Sequence, residues 1–312
     1  MDFLFIIIGL VLLIFGGEWL LKSAVGFSLR LRIPKIVIGM TVVSFATSSP
    51  ELIVSLKSAL SGYSDLAIGN VIGSNIANLG FVLGITILLS AISVEKSFYK
   101  TDWPLMMLAS LLLYVFVAFD GVLQSYEGGI LFSLLIVFLV YLLRFQKNAV
   151  VDEMPEDDEE LPLYKALLFL IVGGVALWGG SELLIDGAVA LAVKFGVSER
   201  IIGVTVVSVG TSIPELSASI IAVLKKEKAI SIGNLIGSNI FNILAVLGLT
   251  SIVSPITVTD QGLIDSDIYW MLAVSFMILP LSFVFNKLKL GKIEGLVLLV
   301  FYVAFLYKML IY

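Results

Sequence analysis

The residues with chemistry to offer gather in two short stretches, and the stretches are copies of one another. The first holds Ala46-Thr47-Ser48-Ser49-Pro50-Glu51, then Gly69-Asn70-Val71-Ile72-Gly73-Ser74-Asn75-Ile76-Ala77-Asn78. The second holds Gly210-Thr211-Ser212-Ile213-Pro214-Glu215, then Gly233-Asn234-Leu235-Ile236-Gly237-Ser238-Asn239-Ile240-Phe241-Asn242. Glu51 and Glu215 are 164 residues apart, and so are Asn78 and Asn242. An internal repeat of this kind has to be read before any local feature, because it sets the architecture. Each copy sets one glutamate and several small polar residues inside long apolar sequence. Acids are rare and costly within a bilayer, so a functional site is the default reading.

The donor set is all oxygen. A proline removes one backbone donor and clashes with the carbonyl four residues earlier. Pro50 and Pro214 therefore predict a kink or break that frees carbonyls around Ser44 to Thr47 and around Ser208 to Thr211. Thr47, Ser48, Thr211 and Ser212 add hydroxyls, and Glu51 and Glu215 add the negative charge. Ser74 and Asn78 share a helical face at four-residue spacing, as do Ser238 and Asn242. Gly69, Gly73, Gly233 and Gly237 let neighbouring backbones approach closely. There is no Cys and no His, so thiolate and imidazole ligation are excluded. Hard oxygen ligands suit Ca²⁺, which takes six to eight of them, better than a transition metal. Two glutamates neutralise one Ca²⁺ or two Na⁺, so one cage can exchange one ion for the other. An intramembrane hydrolase using two acids would need a positioned water and room for substrate, and these acids arrive ringed by ligand-type residues instead. A passive channel predicts currents that need no counter-ion.

Those stretches must be held by membrane spans. The 312 residues are 59% hydrophobic and 14% charged, with a mean hydropathy of +1.10; soluble domains are about a quarter charged. At about 20 apolar residues per span, ten spans are expected at 2–29, 35–59, 67–91, 102–120, 126–145, 162–192, 199–223, 231–254, 267–286 and 292–311. The first is read as retained, since it lacks a basic leader and a small-residue cleavage site. The segment 146–163, rich in Asp and Glu, reads as a solvated linker. Placing the N-terminus outside puts most Lys and Arg on inner loops, as the positive-inside rule requires. That choice leaves both termini outside and the linker cytoplasmic. Five spans per half is an odd number, so the second half enters from the opposite face, an inverted repeat with its site near mid-membrane. Glu18 and Glu182, also repeat-related, read as backbone-bonded or interfacial, with a place along the ion path as the alternative. Asp186 reads as interfacial, and the four tryptophans as anchors or packing.

The two motifs resemble those of the cation/Ca²⁺ exchangers, and within them the prokaryotic sodium/calcium exchangers. That family's repeats read G-T-S-x-P-E followed by G-N-x-x-G-S-N. The likeness covers essentially the whole chain. It implies that Glu51 and Glu215 are the central Ca²⁺ ligands, with backbone oxygens of Thr47 and Thr211. It implies that Na⁺ uses those glutamates with Ser48, Ser212, Ser74, Ser238 and the carbonyls of Ser44 and Ser208. Asn78 and Asn242 would sit at the central level, and the first and sixth spans would slide across the other eight. Two departures stand out. Ala46 replaces the first glycine, and Asn242 stands where many sodium/calcium exchangers carry Asp.

The expectation is therefore an all-α integral membrane protein with ten transmembrane helices in two inverted five-helix repeats. Residues 1–145 form the first repeat, with its motif at 39–84; residues 164–312 form the second, with its motif at 203–248. Helices 2, 3, 7 and 8 are expected to be kinked or broken around a central ion site. The expected activity is secondary antiport of Ca²⁺ against Na⁺ by alternating access, with Ca²⁺/H⁺ antiport on the same fold as the alternative. The transported ions are the only cofactors expected. The chain should be a monomer in the cell membrane, not an enzyme, with lipid as its surroundings and no nucleic-acid partner.

Overall fold

The computed structural model describes residues 2–95, 97–145, 161–195, 210–284 and 288–311. Ser208, most of the linker 146–163 and the start of the second motif lie outside the described residues. The described chain is helical apart from four two-residue strands. Seven of its helices are long and apolar enough to cross a membrane, or eight if one broken pair counts as a single span. The chain divides into two compact units, one formed by Met1–Thr47, Leu139–Gly237 and Leu306–Tyr312, the other by Ser48–Phe138 and Ser238–Phe305.

The first unit is built on α1 (Asp2–Leu31) and α7 (Leu163–Lys194). They pack antiparallel over most of their length because glycines at seven-residue spacing line the seam. A Cβ on Gly9 would lie 2.8 Å from the Gly180 carbonyl oxygen, and one on Gly16 would lie 2.9 Å from the Leu177 amide nitrogen. Small residues at such a contact let dispersion and backbone packing hold helices that have no hydrophobic drive to associate in lipid. Ser23 Oγ adds a hydrogen bond of 2.8 Å to the Ala166 carbonyl. The unit also contains α2 (Lys35–Thr47), α8 (Ile213–Leu224) and the first part of α9 (Lys228–Val253). Here Gly233 and Gly237 behave as expected: they lie hard against the backbone of α2 around Ile36 and Met40. The corresponding neighbours of Gly69 and Gly73 would fall near residues 200–204, outside the described residues.

The second unit holds α3 (Ser49–Leu60), α4 (Ser64–Leu89), α5 (Phe98–Asp120), α10 (Leu263–Val284) and most of α6 (Ser125–Phe145) and α11 (Lys292–Ile311). Short antiparallel pairings tie its loops. β1 (Ile92–Ser93) pairs with β4 (Lys289–Leu290), and β2 (Val122–Leu123) pairs with β3 (Ile256–Thr257). Two buried acids here are caps. Glu127 accepts from the Gln124 amide at 2.9 Å and Glu294 from the Gly291 amide at 2.8 Å, each at the start of a helix. Trp103 is fastened by a 2.8 Å bond from Nε1 to the Ser275 carbonyl, and Trp270 stacks edge-on to Phe301 at 4.8 Å. Both therefore pack against neighbouring helices.

The motif helices are the buried ones. Inside the best apolar window, 78% of α4 and 83% of α9 is buried, against 28% of α1 and of α7. That burial explains why their polar residues recur: a lipid-facing helix has no use for them, and a helix walled by protein can carry them if they meet a partner.

Candidate cation site

The second span breaks just before Pro50, one of the two outcomes the proline predicted. It ends at Thr47, and a new helix, α3, starts at Ser49 with the proline in its first turn. A proline there loses nothing, because its missing N–H is one of the unpaired donors of any helix start. α8 repeats the arrangement with Pro214 and with Glu215 in the first turn. Ser48 and Ser212 hold the N-cap positions. A serine there ordinarily caps the helix through its side chain, yet neither does so. Both hydroxyls are buried and have no hydrogen-bond partner among the described residues. Glu51 and Glu215 are each 0% exposed.

Within the first unit, Ser44 Oγ lies 2.9 Å from both the Gly39 and the Asn234 carbonyl oxygens. Thr47 Oγ1 donates to Asn234 Oδ1 at 3.1 Å, and Asn234 Nδ2 donates to Ser219 Oγ at 3.4 Å. Thr211 is half-buried. Within the second unit, Asn70 Nδ2 donates to Ser55 Oγ at 3.0 Å and to the Glu51 carbonyl at 3.4 Å. Asn70–Ser55 and Asn234–Ser219 are repeat equivalents, so the same brace holds the glutamate-bearing helix in both halves. Ser74, Asn78, Ser238 and Asn242 are all buried. Asn78 uses neither side-chain atom in a hydrogen bond, and Asn242 leaves its Oδ1 without a donor. A π-helical turn begins at Asn78 and another at Asn242; such turns insert an extra residue and are frequent at functional sites.

The expected ligands thus divide between the units. Ser44, Thr47, Thr211, Ser212 and Glu215 belong to the first; Ser48, Glu51, Ser74, Asn78, Ser238 and Asn242 belong to the second. Sequence reasoning passed over Asn70, Asn75, Asn234 and Asn239, although all four stand in the repeated motif. Glu18 makes an ion pair with Lys225 Nζ at 2.8 Å, in place of the backbone bond considered from sequence. Glu182 and Asp186 are exposed.

The unused hydroxyls invite a direct test. A buried polar atom without a partner costs about 1–3 kcal/mol. Ser48→Ala and Ser212→Ala should therefore leave the ion-free unfolding midpoint level or raise it. Each should weaken Na⁺ binding about tenfold, roughly 1.4 kcal/mol. A fall in the ion-free midpoint would mean that these hydroxyls stabilise the fold and are not held for an ion.

A helical membrane protein whose most buried spans carry repeated oxygen donors is, by class, a handler of ions. The comparisons make this specific. The model for the sodium/calcium exchanger protein family matches residues 1–144 and 165–311. A putative antiporter, CaxA, of Alkalimonas amylolytica is 39% identical over 97% of both chains. The sodium/calcium exchanger MaX1 of Methanosarcina acetivorans is 31% identical over 98% of this chain and 97% of its own. The solved sodium/calcium exchanger of Methanococcus jannaschii superposes with a TM-score of 0.83 at 27% identity, covering 98% of this chain and 97% of that one. The chain belongs to the sodium/calcium exchanger family. It is a multi-pass membrane transporter for cation exchange involving Ca²⁺.

Proposed function

We propose that the protein exchanges Ca²⁺ for Na⁺ by alternating access, with Ca²⁺ held by Glu51 and Glu215. The other ligands proposed are Thr47, Thr211, Ser48, Ser212, Ser74, Ser238, Asn78 and Asn242, with the carbonyls of Ser44 and Ser208. The observation that carries this reading is the set of unspent donors. Ser48 Oγ, Ser212 Oγ and Asn242 Oδ1, with both polar atoms of Asn78, are buried without a hydrogen bond among the described residues. They stand at repeat-related positions, and Ser48 and Ser212 each come three residues before a buried glutamate. Packing alone gives no reason to keep costly unpaired groups twice over, whereas an arriving cation can take the two hydroxyl and two amide oxygens among them as ligands. The hydroxyl-rich set favours Na⁺ as the counter-ion, because Na⁺ needs several oxygens and a proton needs only one base. Two relatives, MaX1 and the Methanococcus jannaschii protein, are sodium/calcium exchangers, which points the same way.

We read the architecture as ten spans in two inverted repeats. The α1–α7 seam supports this. Gly9 and Gly173 are repeat equivalents, as are Gly16 and Gly180, and Gly9 meets Gly180 while Gly16 meets Gly173. Equivalent helices packed antiparallel through swapped positions have the geometry of a two-fold relation. The strand pairings support the seventh crossing. Elements that pair must lie on one face, so an even number of crossings separates β1 from β4 and β2 from β3. The long apolar helices between the paired strands are odd in number, and a crossing at α8 would make the count even. The N-terminus is placed outside, in the cell membrane, by the distribution of Lys and Arg. On this reading 1–145 and 164–312 are the two repeats, and 146–163 is a cytoplasmic linker.

The test is Ca²⁺ flux into vesicles carrying the purified protein, with a Na⁺ gradient or a pH gradient imposed in turn. Flux that follows the Na⁺ gradient and ignores the pH gradient is expected. Flux driven by the pH gradient alone replaces Na⁺ with H⁺ as the counter-ion.

A further inference from the structure

One polar contact inside the second unit does work that the ligand set above does not describe. Asn75 is buried to 1% exposure. Its Nδ2 donates to the backbone carbonyl of Asn239 at 3.2 Å and lies 3.8 Å from Met271 Sδ. Its Oδ1 accepts a hydrogen bond from Asn242 Nδ2 at 3.0 Å. A backbone carbonyl can only accept, so the Asn239 carbonyl dictates which end of the Asn75 amide faces it. The Oδ1 of Asn75 is left facing Asn242. That in turn dictates the Asn242 amide: the NH₂ end is taken up by Asn75, and the Oδ1 end is the one without a donor. Turning the Asn242 amide over would set two carbonyl-type oxygens against each other. Asn78, the repeat counterpart of Asn242, makes no such bond.

We infer that Asn75 is a positioning residue, which holds the Asn242 amide so that its oxygen and not its NH₂ faces the cation. This inference rests on the reading that Asn242 lines the cation site. An amide needs such an orienting partner because only one of its ends can ligate a metal. A carboxylate does not, since both of its ends are oxygen. Asn75 is therefore the partner that an asparagine at 242 requires and an aspartate there does without. Outer partners that orient a ligand typically change metal affinity 10–100-fold when removed.

The experiment is a double-mutant cycle on the full chain in detergent or nanodiscs, reading the Kd for Ca²⁺ by calorimetry. Asn75→Leu keeps the shape of the side chain and removes both hydrogen bonds. In the native background it should raise the Kd by 10-fold or more. In the Asn242→Asp background the same change should move the Kd less than about threefold, because the carboxylate needs no orienting. A merely structural Asn75 gives an equal loss in both backgrounds, and that result overturns the inference. An unchanged Kd in Asn75→Leu overturns it as well. Should Asn75→Leu fail to fold, Asn75→Ala decides. It also removes both hydrogen bonds and should raise the Kd tenfold or more in the native background and less than about threefold with Asn242→Asp, so an unchanged Kd or an equal loss in both backgrounds counts against the role. Glu51→Gln, measured alongside, separates the two levels: if it binds Ca²⁺ normally, the site itself is misassigned, whatever the cycle gives.

Discussion

Glu51→Gln and Glu215→Gln should each abolish Ca²⁺ transport while leaving a folded protein. Two unit charges 4 Å apart interact by about 4 kcal/mol at an effective dielectric constant near 20, and a divalent ion doubles the figure. Losing one carboxylate should therefore weaken Ca²⁺ binding more than about 100-fold, for which roughly 2.7 kcal/mol suffices. Stability goes the other way. Each glutamate is 0% exposed, and an ionised carboxylate is far more costly to bury than a neutral amide of the same shape. The ion-free variants should unfold no earlier than the native protein. The native midpoint should climb as Ca²⁺ is added, since a ligand that binds only the folded state stabilises it. The midpoints of the variants should stay flat. A Ca²⁺-dependent rise that survives in either variant would remove that glutamate from the site.

The second large effect belongs to the α1–α7 seam. Replacing a helical glycine by alanine ordinarily stabilises the helix by about 1 kcal/mol. Gly179→Ala should follow that rule, because nothing lies within 4 Å of its would-be Cβ. Gly16→Ala and Gly173→Ala should reverse the sign. The new methyl would meet the Leu177 amide nitrogen at 2.9 Å and the Leu20 amide nitrogen at 2.8 Å, both backbone atoms that cannot rotate away. Overpacking of this kind costs about 1–3 kcal/mol, and the two helices must separate along their length to relieve it. The unfolding midpoint should drop for positions 16 and 173 and hold or rise for 179, with transport lost in the first two. Equal midpoints across the three would show that the seam tolerates a wider spacing.

Much of this protein was legible before its fold. The constant offset between the two motifs, the absence of Cys and His, and the glutamates set in apolar sequence are one-dimensional facts. They bound the answer to a membrane protein, and they leave oxygen as the ligand chemistry for any cation it binds, because Cys and His are absent. Proline position was legible as a discontinuity but not as its kind. Whether Pro50 kinks one helix or opens the next depends on whether neighbouring helices cover the freed backbone. Serines 48 and 212 were legible as hydroxyl oxygens close to the glutamates; only the folded chain sets them at N-cap positions and leaves those hydroxyls without a partner among the described residues.

The partner choices were settled in three dimensions. Nothing in the spacing says that Glu18 meets Lys225, that β1 takes β4 in place of its repeat counterpart, or that Asn75 receives the amide of Asn242. The repeat makes the two halves chemically equivalent, so from sequence every such pairing has an equally good mirror image. Tertiary packing breaks that tie: residues more than 160 positions apart are brought within hydrogen-bond reach, and an amide that could present either end is left with one.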